Sequence, residues 1–244
     1  MSFIGILVAL FFILLANFIE GGHIEGLINL PAFLIVVGGT LGCVIVQFPL
    51  KTLKNVLLYF KWLINPPIYD YYNTSTQLIQ IADISRRDGI LALEMALDNI
   101  DDPFVKESLL MVIDGLDKNA IDEILDNTIS KQEVEITHVA KVYDAAGGYS
   151  PTMGIIGAVL GLIHAMGLLD KPDQLGHGIA VAFVATIYGV AFSNIFFLPI
   201  GSRYKLFAQE SAEYRRMIAD GIYAIANGSN LFEVKSRLNS HSHH

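Results

Sequence analysis

The stretch PTMGIIGAVLGLIHAMG, Pro151–Gly167, opens on a proline, carries four glycines and one histidine, and has no charged side chain. A helix that only had to sit in lipid would be filled with Leu, Ile and Val. This one is short of side chain, so something must approach it closely. Gly154, Gly157, Ala158, Gly161 and Ala165 fall at i, i+3, i+4, i+7 and i+11, which is one side of a helix. Downstream, Ala182, Ala185, Thr186, Gly189 and Ser193 repeat that spacing. In lipid, helices associate by packing rather than by the hydrophobic effect, and small residues in register allow close contact. The glycines alone read as ordinary tight packing within the chain. Thr186 and Ser193 tilt the reading toward a face that meets a partner helix or water.

The composition around this stretch points to a membrane protein. The 244 residues are 53% hydrophobic and 16% charged, with mean hydropathy +0.49, against about 25% charged in soluble domains. Met1–Ile19, Gly26–Leu50, Ala145–Leu169 and Gln174–Ser202 contain no Asp, Glu, Lys or Arg. Each window is near or above the ~18–20 residues that cross ~30 Å of hydrocarbon at ~1.5 Å per residue. The first window lacks a basic region and a clear small-x-small site, so it does not read as a signal peptide. Cys43 is the only cysteine, which rules out an intramolecular disulfide.

Of the 16 Lys and Arg, only Lys171 lies in a short connection between windows; the rest fall in Lys51–Lys141 and Arg203–Arg237. By the positive-inside rule those two segments and both termini are cytoplasmic. The net charge of −8 argues against nucleic acid as a partner. The expected fold is an all-α membrane protein with four transmembrane helices and a helical cytoplasmic domain between the second and third. Residues 1–50 form the first hairpin (spans about 2–19 and 28–49). Residues 51–149 form the cytoplasmic domain. Residues 150–202 form the second hairpin (spans about 150–169 and 176–201), and residues 203–244 form a cytoplasmic basic helix and tail.

Several local signals organise the insert. Pro49 ends the second span, and Pro66-Pro67 breaks the chain after VLLYFKWLI. Leu78, Ile81, Ala82 and Ile84, then Ile90, Leu93, Leu97 and Ile100, recur at helical spacing. Asp102-Pro103 starts another helix, with Asp as N-cap and Pro at the first position. Asn119 is placed to cap the next, with Asp122 and Glu123 in its first turn.

The spans hold no Asp, Glu, Lys or Arg, and supply only hydroxyls, amides and histidine, whereas an ion path normally needs a polar or ionisable group at membrane depth. If ions cross here, the carboxylate comes from another subunit; if none cross, the chain is a scaffold or handles lipid. His164 reads either as a proton relay or as a histidine bonded to a neighbouring helix. His23, His177 and the terminal SHSHH match no zinc or haem pattern, and SHSHH has the look of a tail or partial tag. No P-loop, GxSxG, HExxH or dinucleotide fingerprint is present, so the sequence points to no enzyme, no metal site and no cofactor.

LIVVGGTLG (Leu34–Gly42), SRRDGILALE (Ser85–Glu94), the Pro151–Gly167 stretch and a fourth span ending in Pro199 occur in this order, and the whole chain resembles the MotA/PomA subunits of flagellar stators. The short first outer turn (EGG) and GGYSPTMGIIGAVLGLIH are most similar to the MotC-type A subunits. The resemblance implies a homo-pentamer in the bacterial inner membrane around a dimer of MotB/PomB-type B subunits, which supply an ion-binding aspartate. It implies that the small faces of spans three and four meet the B helices, with Ala158, Gly161, Thr186 and Ser193 on the ion path. Pro151 and Pro199 match the family's hinge prolines, although either could simply end a span. Arg86 and Glu94 match charges that engage the rotor protein FliG, with Arg87 an accessory. Sodium-driven members have threonine where this chain has Ala158, which favours protons over sodium as the coupling ion. The alternative within reach of the same features is an ExbB/TolQ-like energiser of envelope transport, which usually has three spans.

Overall fold

A computed structural model describes residues 2–22, 24–170 and 172–241. Every regular element among them is helical, as the absence of any period-two strand signal requires. His23, Lys171 and Ser242–His244 lie outside the described residues.

The elements are α1 (Ser2–Ile19), α2 (Leu30–Gln47), α3 (Leu50–Tyr59), α4 (Lys61–Ile64), α5 (Tyr71–Asp88), a 3₁₀ segment (Ile90–Asn99), α6 (Pro103–Ile113), α7 (Lys118–Met166), α8 (Pro172–Ala191), α9 (Leu198–Ala226) and α10 (Leu231–Asn239). A π turn at Leu34–Gly38 interrupts α2, and another at Phe192–Phe197 joins α8 to α9. Leu30–Gln47, Lys118–Met166 and Gly178–Ala226 are long and apolar enough to cross a membrane, while Ile4–Ile19 is apolar but shorter. Contacts divide the chain into two compact units, residues 1–66 with 136–205 and residues 67–135 with 206–244.

In the first unit α2 starts at Asn29, whose side chain accepts the Ala32 N–H at 3.0 Å, with Pro31 in the first turn. Asn29 N–H in turn donates to the Tyr188 hydroxyl at 3.2 Å, and that hydroxyl donates to Leu27 O at 2.5 Å. One phenol thus ties the start of α2 to α8. Ala32 and Val36 pack on Val184 and Ala185, and Val44 packs on Val142 and Ala146. Outside this seam the helices present apolar side chains to the exterior: Phe18 is 75% exposed, Val46 89% and Phe183 67%. Exposed apolar surface on that scale marks a lipid or partner-helix environment. The second helix stops at Phe48, and Pro49 becomes the N-cap of α3, as expected.

The second unit is a conventional apolar core. Leu78, Ile81, Leu93, Leu97, Val105 and Leu109 pack with Ile121, Leu125, Met217 and Ile222. Asp102 caps α6 as its sequence announces, accepting from Phe104 N at 2.8 Å and Val105 N at 3.4 Å. Its second oxygen accepts from the Tyr214 hydroxyl at 3.0 Å, and that hydroxyl also bonds Thr74 Oγ1 at 2.8 Å. Burial, first of all, pushes the Tyr214 phenol up to about 12. Two expectations need correction. The cap of α7 is Asp117, which accepts from Asn119 N at 2.9 Å, so Asn119 lies inside the first turn. The Ile90–Ile100 pattern forms a 3₁₀ segment rather than an α-helix, entered through Gly89 at φ +88°. At the C-terminus His241 Nε2 lies 2.7 Å from Asp220 Oδ2, so the tail is tied down at least to that residue.

Candidate functional site

The glycines of Pro151–Gly167 face α8. A Cβ on Gly161 would lie 2.8 Å from Ala182 N, one on Gly157 2.7 Å from Ala185 Cβ, and one on Gly154 3.1 Å from Gly189 Cα. In return, a Cβ on Gly189 would lie 2.7 Å from Ser150 O and 2.9 Å from Gly154 Cα. Backbones are in van der Waals contact along this seam, which no side chain larger than hydrogen permits. The reading of this stripe as a bare face kept for a partner helix is therefore corrected: α8 already covers it, and Gly161 is buried.

The flank of the seam is different. Pairing of Gly161 with Ala182, Gly157 with Ala185 and Gly154 with Gly189 fixes an antiparallel register that sets Ala158 and Thr186 at one depth. Ala158 is half-buried and Thr186 exposed. The Thr186 hydroxyl donates to Ala182 O at 3.2 Å within its own helix, so its lone pairs remain available to an incoming donor or cation. Across this depth no carboxylate or ammonium group appears in either helix. His164 is exposed and makes no side-chain hydrogen bond among the described residues.

Both prolines lie within helices and end neither. Pro151 is in the interior of α7, and Pro199 is the second residue of α9, just after the π turn. Pro151 has no N–H, so the carbonyl four residues earlier, Gly147 O, loses its helical partner. Ser193 supplies one: its buried hydroxyl donates to Gly147 O at 2.7 Å. Ser193 thus lies in the seam rather than on the open flank with Thr186. Pro199 is exposed and faces another way, lining a cavity of about 300 Å³ with Gly5, Ile6 and Ala9 of α1. The part played by Gly147 is absent from the motifs read above, although its signal is in the sequence, since a proline four residues after a glycine marks that carbonyl as orphaned.

The charged candidates belong to the second unit. Arg86 and Arg87 occupy the last turn of α5, where positive charge suits the helix dipole. Arg87 pairs with Asp83 at 3.4 Å and Asp88 at 3.9 Å, while Arg86 makes no ion pair among the described residues. Glu94 is exposed on the 3₁₀ segment. Among the described residues no cluster of metal-ligating side chains exists.

This arrangement of a glycine seam, charge-free stretches of helix and a long helix carrying an internal proline coincides with a sequence match. Residues 96–217 match the MotA/TolQ/ExbB proton channel family, and residues 3–89 match the Motility protein A N-terminal family. The chain belongs to the MotA/TolQ/ExbB family. It is 32% identical to Motility protein A of Bacillus subtilis (strain 168), over 97% of this chain and 88% of that protein. It is 31% identical to Motility protein A of Helicobacter pylori (strain ATCC 700392 / 26695), over 97% and 92%. Its fold follows the C. jejuni MotAB structure with TM-score 0.91 at 30% identity, covering 98% of this chain and 94% of that one. The flagellar MotAB stator complex from Bacillus subtilis matches with TM-score 0.88 at 30% identity, covering 98% and 95%. The chain is thus homologous to the MotA stator subunits, and its residues 3–89 carry the match to the Motility protein A N-terminal family. The ExbB-like alternative has no better support.

Proposed function

We propose that the chain is the A subunit of a flagellar motor stator. With a MotB/PomB-type B-subunit dimer inside a homo-pentamer, it forms a proton channel of the inner membrane and turns ion-motive force into torque on FliG. The observation that carries this reading is the charge-free seam. The stretches of α7 and α8 that form the seam have no carboxylate of their own, so an ion path along them needs a partner helix that brings one, and the homologous solved structures are of MotAB complexes.

In this reading α1, α2, α7 and α8 supply four spans, residues 51–149 and 203–244 are cytoplasmic, and both termini are cytoplasmic. The partner helix lies against the open flank at Ala158 and Thr186, with Gly161 and Ser193 behind it in the seam that fixes the flank's position. Sodium needs several hard oxygens around it. With alanine at 158 there is no second side-chain hydroxyl opposite Thr186, so fewer hard oxygens are offered here, which favours a hydrated proton. One charge crossing ~100 mV releases ~2.3 kcal/mol. That is enough to bias a two-state arrangement of packed helices and too little to unfold a unit, so the working motion is a rigid-body step, with Pro151 and Pro199 as hinges and Arg86, Glu94 and, secondarily, Arg87 meeting the rotor. The chain does no covalent chemistry.

The test is co-expression with the B subunit in a non-motile host that lacks its own stator. Swimming should return only when both chains are present, and liposomes holding this chain alone should not leak protons. A proton leak from the A subunit alone would overturn the division of labour.

A further inference from the structure

The two irregularities of the seam are linked through one hydroxyl. Pro151 leaves Gly147 O without a helical N–H, and the Ser193 hydroxyl reaches it from the opposite helix at 2.7 Å. Ser193 is 2% exposed, so no water competes for the carbonyl. Burial by itself does not produce such a bond here. Ser150, adjacent to the proline and fully buried, and Thr40, equally enclosed, both have hydroxyl oxygens with no partner among the described residues. Ser193 also sits inside the π turn Phe192–Phe197, where Leu198 N–H reaches back five residues to Ser193 O. The same residue therefore has its carbonyl in the widened turn that precedes Pro199 and its hydroxyl on the gap left by Pro151. Gly147 completes the fit, because a Cβ there would lie 2.6 Å from Leu198 Cδ2.

We infer that Ser193 is a positioning residue for the Pro151 hinge: its hydroxyl stands in for the missing backbone N–H and holds the break in one geometry until the helices move. This inference rests on the hinge reading of Pro151 given above. It predicts a specific non-additivity. Pro151→Ala restores an N–H at position 151, which can bond Gly147 O within the helix, so the hydroxyl at 193 becomes dispensable in that background. Ser193→Ala in the native background leaves a buried carbonyl unpaired and shifts the hinge equilibrium about fivefold.

Ser193→Ala, Pro151→Ala and the double variant are each expressed with the B subunit in the stator-less host. Stator number per motor is counted by fluorescence, motor speed is read at low load, and thermal midpoints are taken on the purified complexes. The expected result is that Ser193→Ala lowers speed per stator at least about twofold with stator number retained, and that the double variant melts with Pro151→Ala rather than below it. Should Pro151→Ala stop rotation, the midpoints still make the comparison. Equal losses from Ser193→Ala in both backgrounds would overturn the inference. So would non-additive melting with unchanged speed per stator, which would leave the bond as mere packing. Failure of the native pair to rotate a motor at all would instead strike the stator reading.

Discussion

Replacing Gly189 by alanine tests whether the seam is a backbone-to-backbone contact. The added Cβ would sit 2.7 Å from Ser150 O and 2.9 Å from Gly154 Cα. Ordinary contacts of this kind are about 3.5 Å, so the helices must part by about 0.6–0.8 Å. Neither obstacle is a flexible side-chain end, so the strain cannot be relieved by a rotamer change. A gap of about 0.5–1 Å forfeits a quarter to a half of the dispersion energy of the atoms lining it. Together with the overpacking, this puts the cost at about 1–3 kcal/mol. At about 2–4 °C per kcal/mol for a chain of this size, the thermal midpoint of the purified protein in detergent should fall by about 2–12 °C. Gly148→Ala is the control: it lies in α7, the helix that Gly189 faces, a Cβ there meets nothing within 4 Å, and a helical Gly→Ala change should gain about 0.5–1 kcal/mol. If the two variants melt together, the close approach of α7 and α8 is not what the glycines serve.

Three further outcomes are expected. Arg86→Glu or Glu94→Lys should reduce torque while membrane assembly stays intact, because both side chains are exposed and neither supports a core; immunoblotting of membranes beside motor speed separates the two effects, and loss of assembly would make these charges structural. Motility should persist in sodium-free medium, since Ala158 offers no side-chain oxygen; swimming that stops when sodium is withdrawn would sink the proton assignment. The Tyr214 phenol, raised to about 12, is neutral in the folded state at pH values where an unfolded tyrosine (about 10) ionises, so the stability it contributes is intact below about pH 10 and is lost as pH rises toward about 12. Alkaline unfolding should therefore be shallower in Tyr214→Phe, and an unchanged pH profile would refute the assignment.

Much of this fold was legible because it depends on local chemistry. Asp102-Pro103 and Pro49 carry their own instructions, an oxygen placed to accept orphan N–H groups and a ring that cannot continue a helix. The Asn119 cap failed because Asp117, two residues earlier, is an equally good acceptor, and only the geometry decides between adjacent candidates. The glycine stripe shows a deeper limit. Periodicity puts Gly154, Gly157 and Gly161 on one face, but it does not say which helix covers that face. A neighbour in the same chain and a helix from a partner leave the same pattern. Thr186 and Ser193 illustrate how fine the discrimination is. Both fit the small-residue series of α8, yet the first is exposed and the second is 2% exposed with its proton committed to Gly147 O. The 3₁₀ segment Ile90–Asn99 was invisible for a related reason: Leu93 and Leu97 satisfy either helical repeat over so short a run.

The π turn at Phe192–Phe197 has an implication for how this chain tolerates change over evolutionary time. A π turn is a helix carrying one surplus residue, and one residue is worth about 100° of rotation. The widened turn takes up that residue, so deleting a position within it would yield an unbroken α-helix with the residues just beyond it in nearly the same phase. Tyr204, whose hydroxyl donates to Tyr59 O at 2.9 Å, and Lys205, 2.7 Å from Asp144, would keep facing their partners, whereas a deletion in the regular helix between the π turn and Tyr204 would swing them away by that angle. The bulge acts as a slack turn that can absorb a change of length by one residue. Loss of one codon there should therefore be less damaging than the same loss elsewhere along this stretch of helix, provided that the residue removed is not Ser193, whose hydroxyl holds Gly147 O.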